Sequence, residues 1–137
     1  MIGLDTNILV RVAVGDHPEQ TAQAKDRLRS LTMAEPGFVS HVVTTEIWWV
    51  LRRAYKKTTS EALAFLTRLT ETATIVVQDQ DLVIAALAAV RTAKADFADA
   101  LIVAIASANN CLAVETFDVD AIKCAGMKPV GAVSIRD

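Results

Sequence analysis

The chain has 137 residues and a formal net charge of −2, and 53% of its residues are apolar with few aromatics. This length and composition predict one folded domain over residues 1–137 and exclude a disordered or fibrous chain. The net charge gives no overall attraction to nucleic acid, although the surface outside five candidate site acids carries about +3. The two cysteines, Cys111 and Cys124, lie outside any zinc-ligand motif and are expected to be small core residues.

Two apolar runs, LVIAALAAV and ALIVAIASA, are the most hydrophobic stretches of the sequence. Both are too short to span a bilayer, which takes about 20 apolar residues, so they predict buried helices. No basic leader region precedes the first predicted strand. We therefore expect a cytoplasmic protein with no membrane partner.

Short strands and helices alternate in the first half of the chain. The apolar stub at Ile2–Leu4 predicts a buried first strand, and TNILVRVAVG after Asp5 predicts the first helix. PEQTAQAKDRLRSLT predicts a second helix that ends before Pro36-Gly37. The segment FVS directly after this turn predicts the second strand. A third helix, HVVTTEIWWVLRRAYKK, has an apolar stripe formed by Val43, Ile47, Val50, Leu51 and Ala54.

The same alternation continues in the second half. SEALAFLTRLTE predicts a helix, TIVV a third strand rich in β-branched residues, and LAVET a fourth strand. DLVIAALAAVRTAK and DFADALIVAIASANN predict two further helices, and the second of these is apolar on almost every face. DVDAIKCAG and VGAVSI predict a short helix and a last strand. The alternation predicts an α/β fold in which helices flank both faces of a short, mainly parallel sheet.

Two acids follow predicted strands. Asp5 comes directly after the first strand, and Asp118 follows the strand LAVET. Because ligands of parallel sheets bind at the carboxyl ends of the strands, both acids are expected at the edge where chemistry occurs. Either acid alone could also be a helix N-cap, since a predicted helix begins directly after it.

Three further acids lie on or beside predicted apolar faces. Glu46 has apolar residues three and four positions away on both sides, so it borders the buried stripe, although it could still reach solvent. Asp96 and Asp99 open the helix that is apolar on almost every face, and a cap explains Asp96 as well as a site role does. Asp99 is expected to face an interior cleft, because so apolar a helix must be buried on most sides.

These five acids together favour a metal site over five independent structural roles. Carboxylates gathered without nearby Lys or Arg repel one another and raise each other's pKa, and divalent cations remove that conflict. Oxygen ligands without paired His or Cys select Mg²⁺ or Mn²⁺ over zinc, and such ions support the hydrolysis of a phosphodiester. The predicted metal ligands are Asp5, Glu46, Asp96, Asp99 and Asp118.

The helix that carries Glu46 has two further features. Its last residues are basic and, with Arg11, are candidates for phosphate contacts, although an ordinary solvated helix end explains them equally well. Trp48 and Trp49 are adjacent on this helix and point about 100° apart, so we expect at least one ring to be partly exposed. The basic residues at the helix end are Arg52, Arg53, Lys56 and Lys57.

Four segments, MIGLDTNILVR, TTEIWWVL, DFADALIVAIA and ETFD, together resemble the PIN-domain nucleases. The likeness is greatest to the VapC-type toxins of bacterial toxin–antitoxin pairs. The resemblance implies four catalytic acids and one extra acid beside the site, which are Asp5, Glu46, Asp99 and Asp118, and then Asp96. It also implies polar side chains next to the first and last of these acids, namely Thr6, Asn7 and Thr116.

The same resemblance implies an activity and partners. We expect a Mg²⁺-dependent endoribonuclease toxin, with Mn²⁺ as an alternative ion, that cleaves RNA and is held inactive by a cognate antitoxin protein. A homodimer is also expected. Trp48 is the predicted contact residue for the dimer or the antitoxin.

Three other interpretations of the acids stay open. A phosphatase with an Asp nucleophile has the pattern DxDxT after its first strand, whereas Asn7 stands here in place of the second Asp. A phospho-acceptor domain is also α/β, but it has an early acid pair and a late lysine that are not evident in this sequence. A PIN-fold, structure-selective DNA nuclease differs from the toxin in its substrate, so assays on RNA and DNA separate the two.

Overall fold

The computed structural model describes residues 1–136, which fold into two compact units that divide after residue 80. The α/β class and the short parallel sheet predicted from the sequence are confirmed. Within residues 1–136, no helix combines the length and the apolar character needed to cross a membrane.

The first unit contains a parallel sheet and its connecting helices. The strands pair in sequence order, with Gly3 opposite Phe38 and Phe38 opposite Val76. In chain order the elements are β1 (Ile2–Gly3), α1 (Thr6–Val14), α2 (Pro18–Ser30), β2 (Gly37–Val39), α3 (His41–Trp49), a π-helical segment (Val50–Ala54), α4 (Thr59–Glu71) and β3 (Ile75–Val77).

The core of the first unit is aliphatic. Leu9 of α1, Val39 of β2, Ile47 of α3 and Leu66 of α4 are all fully buried. α1 packs against α2 and α3, and α4 packs against α3 and β3. The helices and the sheet therefore share one apolar interior, which fixes the carboxyl ends of the strands from which α1 and α3 start.

The first strand is more exposed than predicted. β1 is an edge strand with both residues exposed, so the expectation of a buried strand is wrong, and the buried residue is Leu4, directly after β1. Leu4 packs closely on the middle strand. A Cβ at Gly37 would lie 2.7 Å from the Leu4 Cδ1 atom and 2.9 Å from the Leu31 Cδ1 atom, so a larger residue there would have to displace these two side chains.

A change of helix geometry interrupts the third predicted helix. α3 gives way at Val50 to the π-helical segment, in which the Tyr55 amide donates to the Val50 carbonyl at 3.1 Å. The wider turn changes the angular position of every later residue. Ile47 and Leu51 are buried as predicted, whereas Ala54, predicted on the same stripe, is exposed.

The two adjacent tryptophans have opposite environments. Trp48 is 5% exposed and Trp49 is 57% exposed, so the prediction of at least one exposed ring is confirmed. The expectation that Trp48 is the contact residue of an interface is wrong, because its ring is already packed inside the protein. Trp49 is the tryptophan available to a partner.

The second unit is helical with a small parallel strand pair. Glu115 pairs with Lys128 and Thr116 with Pro129 in this two-stranded sheet. In chain order its elements are α5 (Gln80–Ala93), whose first residue closes the first unit, α6 (Phe97–Ala108), β4 (Glu115–Thr116), α7 (Val119–Cys124) and β5 (Lys128–Pro129).

The last strand lies earlier in the chain than predicted. β5 precedes VGAVSI, and a turn follows it in which the Ala132 amide donates to the Pro129 carbonyl at 3.1 Å. Gly131 has φ +85° in this turn, and the Glu115 carboxylate accepts hydrogen bonds from the Gly131 and Val133 amides. The prediction of a strand over VGAVSI is wrong because its amides bond to a side chain instead of to a neighbouring strand.

The most apolar helix is buried at one end only. Phe97 and Leu101 of α6 are buried, but Ile102 is 49% exposed and the last residues of the helix are exposed. The prediction that α6 is buried on most sides is therefore wrong beyond its first turns. The prediction of two core cysteines also fails, because Cys111 is exposed and Cys124 is half-buried.

Candidate active site

Asp5 lies at one edge of the three-stranded sheet. The strands are parallel, so their carboxyl ends lie at the same edge. Asp5 follows β1 there and caps α1, with its Oδ1 accepting a hydrogen bond from the Thr6 amide at 2.8 Å. Ser40 caps α3 after β2 and accepts from the Val43 amide at 3.3 Å. The predicted cap at Asp5 is confirmed, and since its side chain is exposed, the cap leaves room for a ligand.

The residue after Asp5 carries a buried hydroxyl. The Oγ1 atom of Thr6 is shielded from solvent, and within residues 1–136 it has no hydrogen-bond partner. Burying such a group costs about 1–3 kcal/mol unless something pairs with it. A carboxylate and an unpaired hydroxyl at adjacent positions match the hard-oxygen chemistry of Mg²⁺ and its bound water. Asp5 therefore offers an exposed carboxylate oxygen to a divalent ion, while the Thr6 hydroxyl beside it is buried and lacks a partner in the described residues.

Glu46 lies on α3, whose first residue follows the end of β2. The side chain is exposed while the next residue, Ile47, is fully buried, so Glu46 borders the core stripe and reaches solvent. Glu46 lies five positions after His41, which puts it about 7.5 Å along the axis from the start of α3. Because α1 packs against α3, Asp5 and Glu46 belong to neighbouring helices of the first unit.

A histidine at the same sheet edge was not predicted from the sequence. The His41 amide donates to the Gln78 Oε1 at 2.9 Å, and its ring Nε2 lies 2.9 Å from the Gln78 carbonyl. The ring is also 3.9 Å from an Asp79 carboxylate oxygen. These contacts tie the start of α3 to the residues that follow β3. His41 and Gln78 are 37 positions apart in the chain, so no local sequence pattern predicts these contacts.

In the second unit, two acids cap helices as the sequence allows. Asp96 caps α6, and its Oδ2 accepts a hydrogen bond from the Asp99 amide at 3.3 Å. Asp118 caps α7, and its Oδ1 accepts from the Asp120 and Ala121 amides at 2.9 and 3.2 Å. The predicted polar neighbour Thr116 accepts a hydrogen bond from the Asp118 amide at 3.0 Å. Both carboxylates are therefore held in fixed orientations by backbone amides.

Asp99 is electrostatically crowded by these two acids. Partial burial raises the pKa of Asp99, and the nearby carboxylates of Asp96 and Asp118 raise it further. Asp96 and Asp118 thus each lie close enough to Asp99 to act on its charge. A divalent cation close to the Asp99 carboxylate would offset the repulsion from its acidic neighbours.

The predicted metal ligands form two sets, Asp5 with Glu46 in the first unit and Asp96, Asp99 and Asp118 in the second. Within residues 1–136, no group of three or more His, Cys, Asp or Glu side chains is arranged closely enough to enclose a metal ion. The chemistry of each set still fits a hard cation, because every donor is a carboxylate or hydroxyl oxygen.

The basic residues that follow Glu46 lie where the helix ends, and some of them stabilise that end. The Arg52 guanidinium donates to the Lys57 carbonyl at 2.7 Å, and Lys56 has φ +52°, which reverses the chain. Arg53 is exposed. A structural role therefore explains Arg52, while Arg53 stays a candidate for contact with a phosphate. Arg11 has a different environment, between α1 and α2.

Residues 2–126 match the family model of the PIN domain, so the chain belongs to the PIN domain family. The matched range includes all five predicted site acids. PIN domains are typically nucleases and generally use divalent metal ions. The family thus indicates the class of activity, a nuclease, that the gathered carboxylates suit chemically. No curated protein matches the sequence.

Proposed function

We propose that this protein is a metal-dependent endoribonuclease that hydrolyses RNA phosphodiester bonds and acts as the toxin of a toxin–antitoxin pair. The observation that carries the proposal is the gathering of Asp96, Asp99 and Asp118 at the starts of two helices in a PIN-family chain. Repulsion between neighbouring carboxylates destabilises the folded protein, and a bound divalent cation would offset that repulsion.

The proposed catalytic residues are Asp5, Glu46, Asp99 and Asp118, and Asp96 completes the set of metal ligands. A bound Mg²⁺ or Mn²⁺ supplies a low-pKa water and charge stabilisation at the leaving oxygen. The protein holds the carboxylate ligands in position for the ion. Backbone amides hold the carboxylates of Asp5, Asp96 and Asp118, so these ligands have little freedom to lose on binding a cation.

Asp99 has a distinct role in this scheme. It belongs to the first turn of α6 and is partly buried, with its amide bonded to Asp96. Burial and its acidic neighbours make it the carboxylate with most to gain from a cation. It is therefore the residue at which loss of charge should most reduce metal affinity.

The toxin role, the antitoxin and the homodimer are proposed from the resemblance of the sequence to VapC-type toxins. Two exposed apolar residues support protein partners, namely Trp49 on α3 and Ile102 on α6. Tryptophan and arginine are the residue types enriched in interface hot spots, and Trp49 and Arg53 are both exposed in this part of the chain.

The central test is cleavage of matched single-stranded RNA and DNA by the purified full chain, with EDTA, Mg²⁺ or Mn²⁺. We expect RNA cleavage only with a divalent ion, and loss of cleavage in Asp99→Asn. Asp26→Asn is the matched control, because Asp26 is an exposed acid on α2 that pairs with Arg29. Cleavage in EDTA would contradict the metal role, and cleavage of DNA alone would replace the ribonuclease by a DNA nuclease.

The toxin role has a separate test in cells. Expression of the full chain should arrest growth, and co-expression of a small reading frame found immediately upstream of its gene should restore it. Growth arrest that persists in Asp99→Asn would separate toxicity from cleavage and contradict the proposal.

A further inference from the structure

An open pocket of about 480 Å³ lies between α1 and α2. Its lining contains two guanidinium groups and three side-chain amides, together with the apolar side chains of Ile8 and Ala24. This volume falls in the range of about 300–1,000 Å³ that small-ligand sites occupy. The polar lining residues are Asn7, Arg11, Gln20, Gln23 and Arg27.

The pocket is positively charged. Its lining contains two arginines and no acid. Arg27 makes one long hydrogen bond to the Ser30 hydroxyl at 3.5 Å, and no carboxylate of residues 1–136 lies within ion-pair distance of it. Its guanidinium therefore keeps most of its donors for a ligand.

The second guanidinium is held in place. The Nε of Arg11 donates to the Gln20 Oε1 at 2.7 Å, and its Nη1 donates to the Tyr55 hydroxyl at 3.3 Å and lies 3.7 Å from an Asp16 oxygen. The backbone of Gln20 is held at the start of α2, because its backbone N–H donates to the ring of His17, the N-cap of that helix. Arg11 thus enters the pocket wall with a fixed geometry and little entropy left to lose on binding.

The location of the pocket relates it to Asp5. Asn7 is two residues after Asp5 on the first turn of α1, and Arg11 lies about 9 Å from Asp5 along the helix axis. An RNA strand that had a phosphate at Asp5 and ran along α1 would bring a neighbouring nucleotide to this pocket.

We propose that the α1–α2 pocket binds one nucleotide of the RNA strand next to the cleaved phosphodiester, and so sets the base preference of cleavage. This inference rests on the proposed ribonuclease function. Guanidinium groups pair with phosphate oxygens, and amides present both donors and acceptors to base edges. An acidic peptide would also pair with the two cations and the amides, so the nucleotide is favoured by the position of the pocket on the helix that Asp5 caps, and the peptide is an alternative outcome of the test below.

Binding without cleavage tests the pocket directly. The probe is a fluorescein-labelled single-stranded RNA of about 12 nucleotides, within the usual site sizes of single-strand binders, and anisotropy is measured in EDTA. We expect Arg27→Gln to raise the Kd about tenfold and to reduce the slope of log Kd against log salt by about 0.7, as loss of one phosphate contact requires. Arg27→Lys should give an intermediate Kd, because it keeps the charge and loses the planar fork.

Arg29→Gln is the matched control. It removes the same charge from the same helix, but Arg29 lies outside the pocket and pairs with Asp26. We expect its Kd to change less than about twofold, as for an exposed charge distant from the phosphate. Equal effects of Arg27→Gln and Arg29→Gln would overturn the proposal and leave only general electrostatic attraction.

Base preference gives a second readout. Gln23→Ala should change the ranking of homopolymeric RNAs of adenine, cytosine and uracil, whereas a purely structural role would lower affinity for all three alike. An unchanged ranking would contradict the assignment of base recognition. If Arg27→Gln weakened only the binding of a labelled poly-glutamate peptide and not of RNA, the pocket would be a protein site and the proposal would be wrong.

The two proposals fail in different ways. Because binding is measured in EDTA, it does not depend on the metal-dependent step. RNA binding that depends on Arg27, without cleavage in Mn²⁺, would overturn the nuclease and keep the pocket. Cleavage that depends on Asp99, with equal binding by the Arg27 and Arg29 variants, would keep the nuclease and overturn the pocket.

Discussion

The starts of α1 and α6 use the same capping device in different electrostatic surroundings. Asp5 caps α1, whose first turn contains no other acid, and its neighbour Thr6 is a buried hydroxyl without a partner in the described residues. Asp96 caps α6, whose first turn contains Asp99, and Asp118 lies within range of that pair. Capping fixes the orientation of a carboxylate in both cases. Only at the start of α6 does that carboxylate also repel a neighbouring acid, Asp99. We therefore expect a divalent cation to stabilise the second unit more than the first.

The largest expected effect is loss of cleavage in Asp5→Asn and Asp99→Asn. Each removes one charged oxygen ligand while keeping the shape, so we expect RNA cleavage in Mn²⁺ to fall at least about 100-fold in both. Their stabilities in EDTA should differ. Asp99→Asn should melt at a higher temperature than the parent, because it removes a partly buried charge beside two acids. Asp5→Asn should melt near the parent temperature, since Asn is also a good N-cap.

Cleavage and thermal melting measured on the same preparations decide the outcome. Parent-like cleavage by either variant would remove that residue from the proposed site. Equal stabilisation by Asp5→Asn and Asp99→Asn would contradict the difference between the two helix starts.

A pair of variants at Asp96 separates its cap from its charge. Asp96→Asn keeps a capping side chain and removes the charge, whereas Asp96→Ala removes both. We expect each to lower cleavage about tenfold or more if Asp96 supports the metal. Only Asp96→Ala should also lose about 1 kcal/mol of unfolding free energy, measured by urea denaturation in EDTA. Unchanged cleavage in Asp96→Asn would reduce Asp96 to a structural cap.

These helix starts could be predicted from the sequence because capping is local. The side chain and the amide it bonds are at most three residues apart at Asp5, Asp96 and Asp118, so an acid before an apolar periodic run is a sufficient signal. The alternation of short strands and helices likewise predicted the α/β class.

Features that depend on distant partners could not be predicted in this way. The bonds of His41 to Gln78 join the ends of two strands, and Glu115 accepts from amides 16 and 18 residues later in place of a strand pairing. The π-helical segment after α3 changes which later side chains face the core, so Ala54 is exposed. Trp48, which precedes that segment, is buried, whereas Trp49 is exposed. Each of these outcomes is decided by tertiary packing that no short window of sequence contains.

The start of α6 should also give the metal-free protein a pH-dependent stability. The pKa of Asp99 is raised in the folded state, so between its ordinary value and the raised value the native protein binds more protons than the unfolded chain. Stability should therefore fall as pH rises through that window, and the loss is complete above the folded pKa. Urea denaturation in EDTA at a series of pH values, compared between the parent and Asp99→Asn, measures this contribution.

The control for this pH effect is Asp26→Asn, which should show the same pH profile as the parent. Addition of Mn²⁺ above the window should restore the lost stability in the parent, because the ion binds the native state. A constant difference between the parent and Asp99→Asn across the whole pH range would contradict the electrostatic account of α6.

The smallest expected effect tests the start of α1. Thr6→Val replaces an unpaired buried hydroxyl by a methyl group of similar size, so in EDTA we expect stability to stay constant or rise by about 1 kcal/mol. Thr21→Val is the matched control in the same unit, because the buried Thr21 hydroxyl donates to the Arg11 carbonyl at 3.2 Å. Loss of this hydrogen bond should cost about 1 kcal/mol of unfolding free energy.

The response to Mn²⁺ tests whether the Thr6 hydroxyl belongs to the metal site. If that hydroxyl bonds to a metal-bound water, Thr6→Val should reduce the increase in melting temperature that Mn²⁺ produces, whereas Thr21→Val should leave that increase unchanged. A full Mn²⁺ response in Thr6→Val would show that the buried hydroxyl takes no part in the site, and Asp5 would then be the sole ligand at the start of α1.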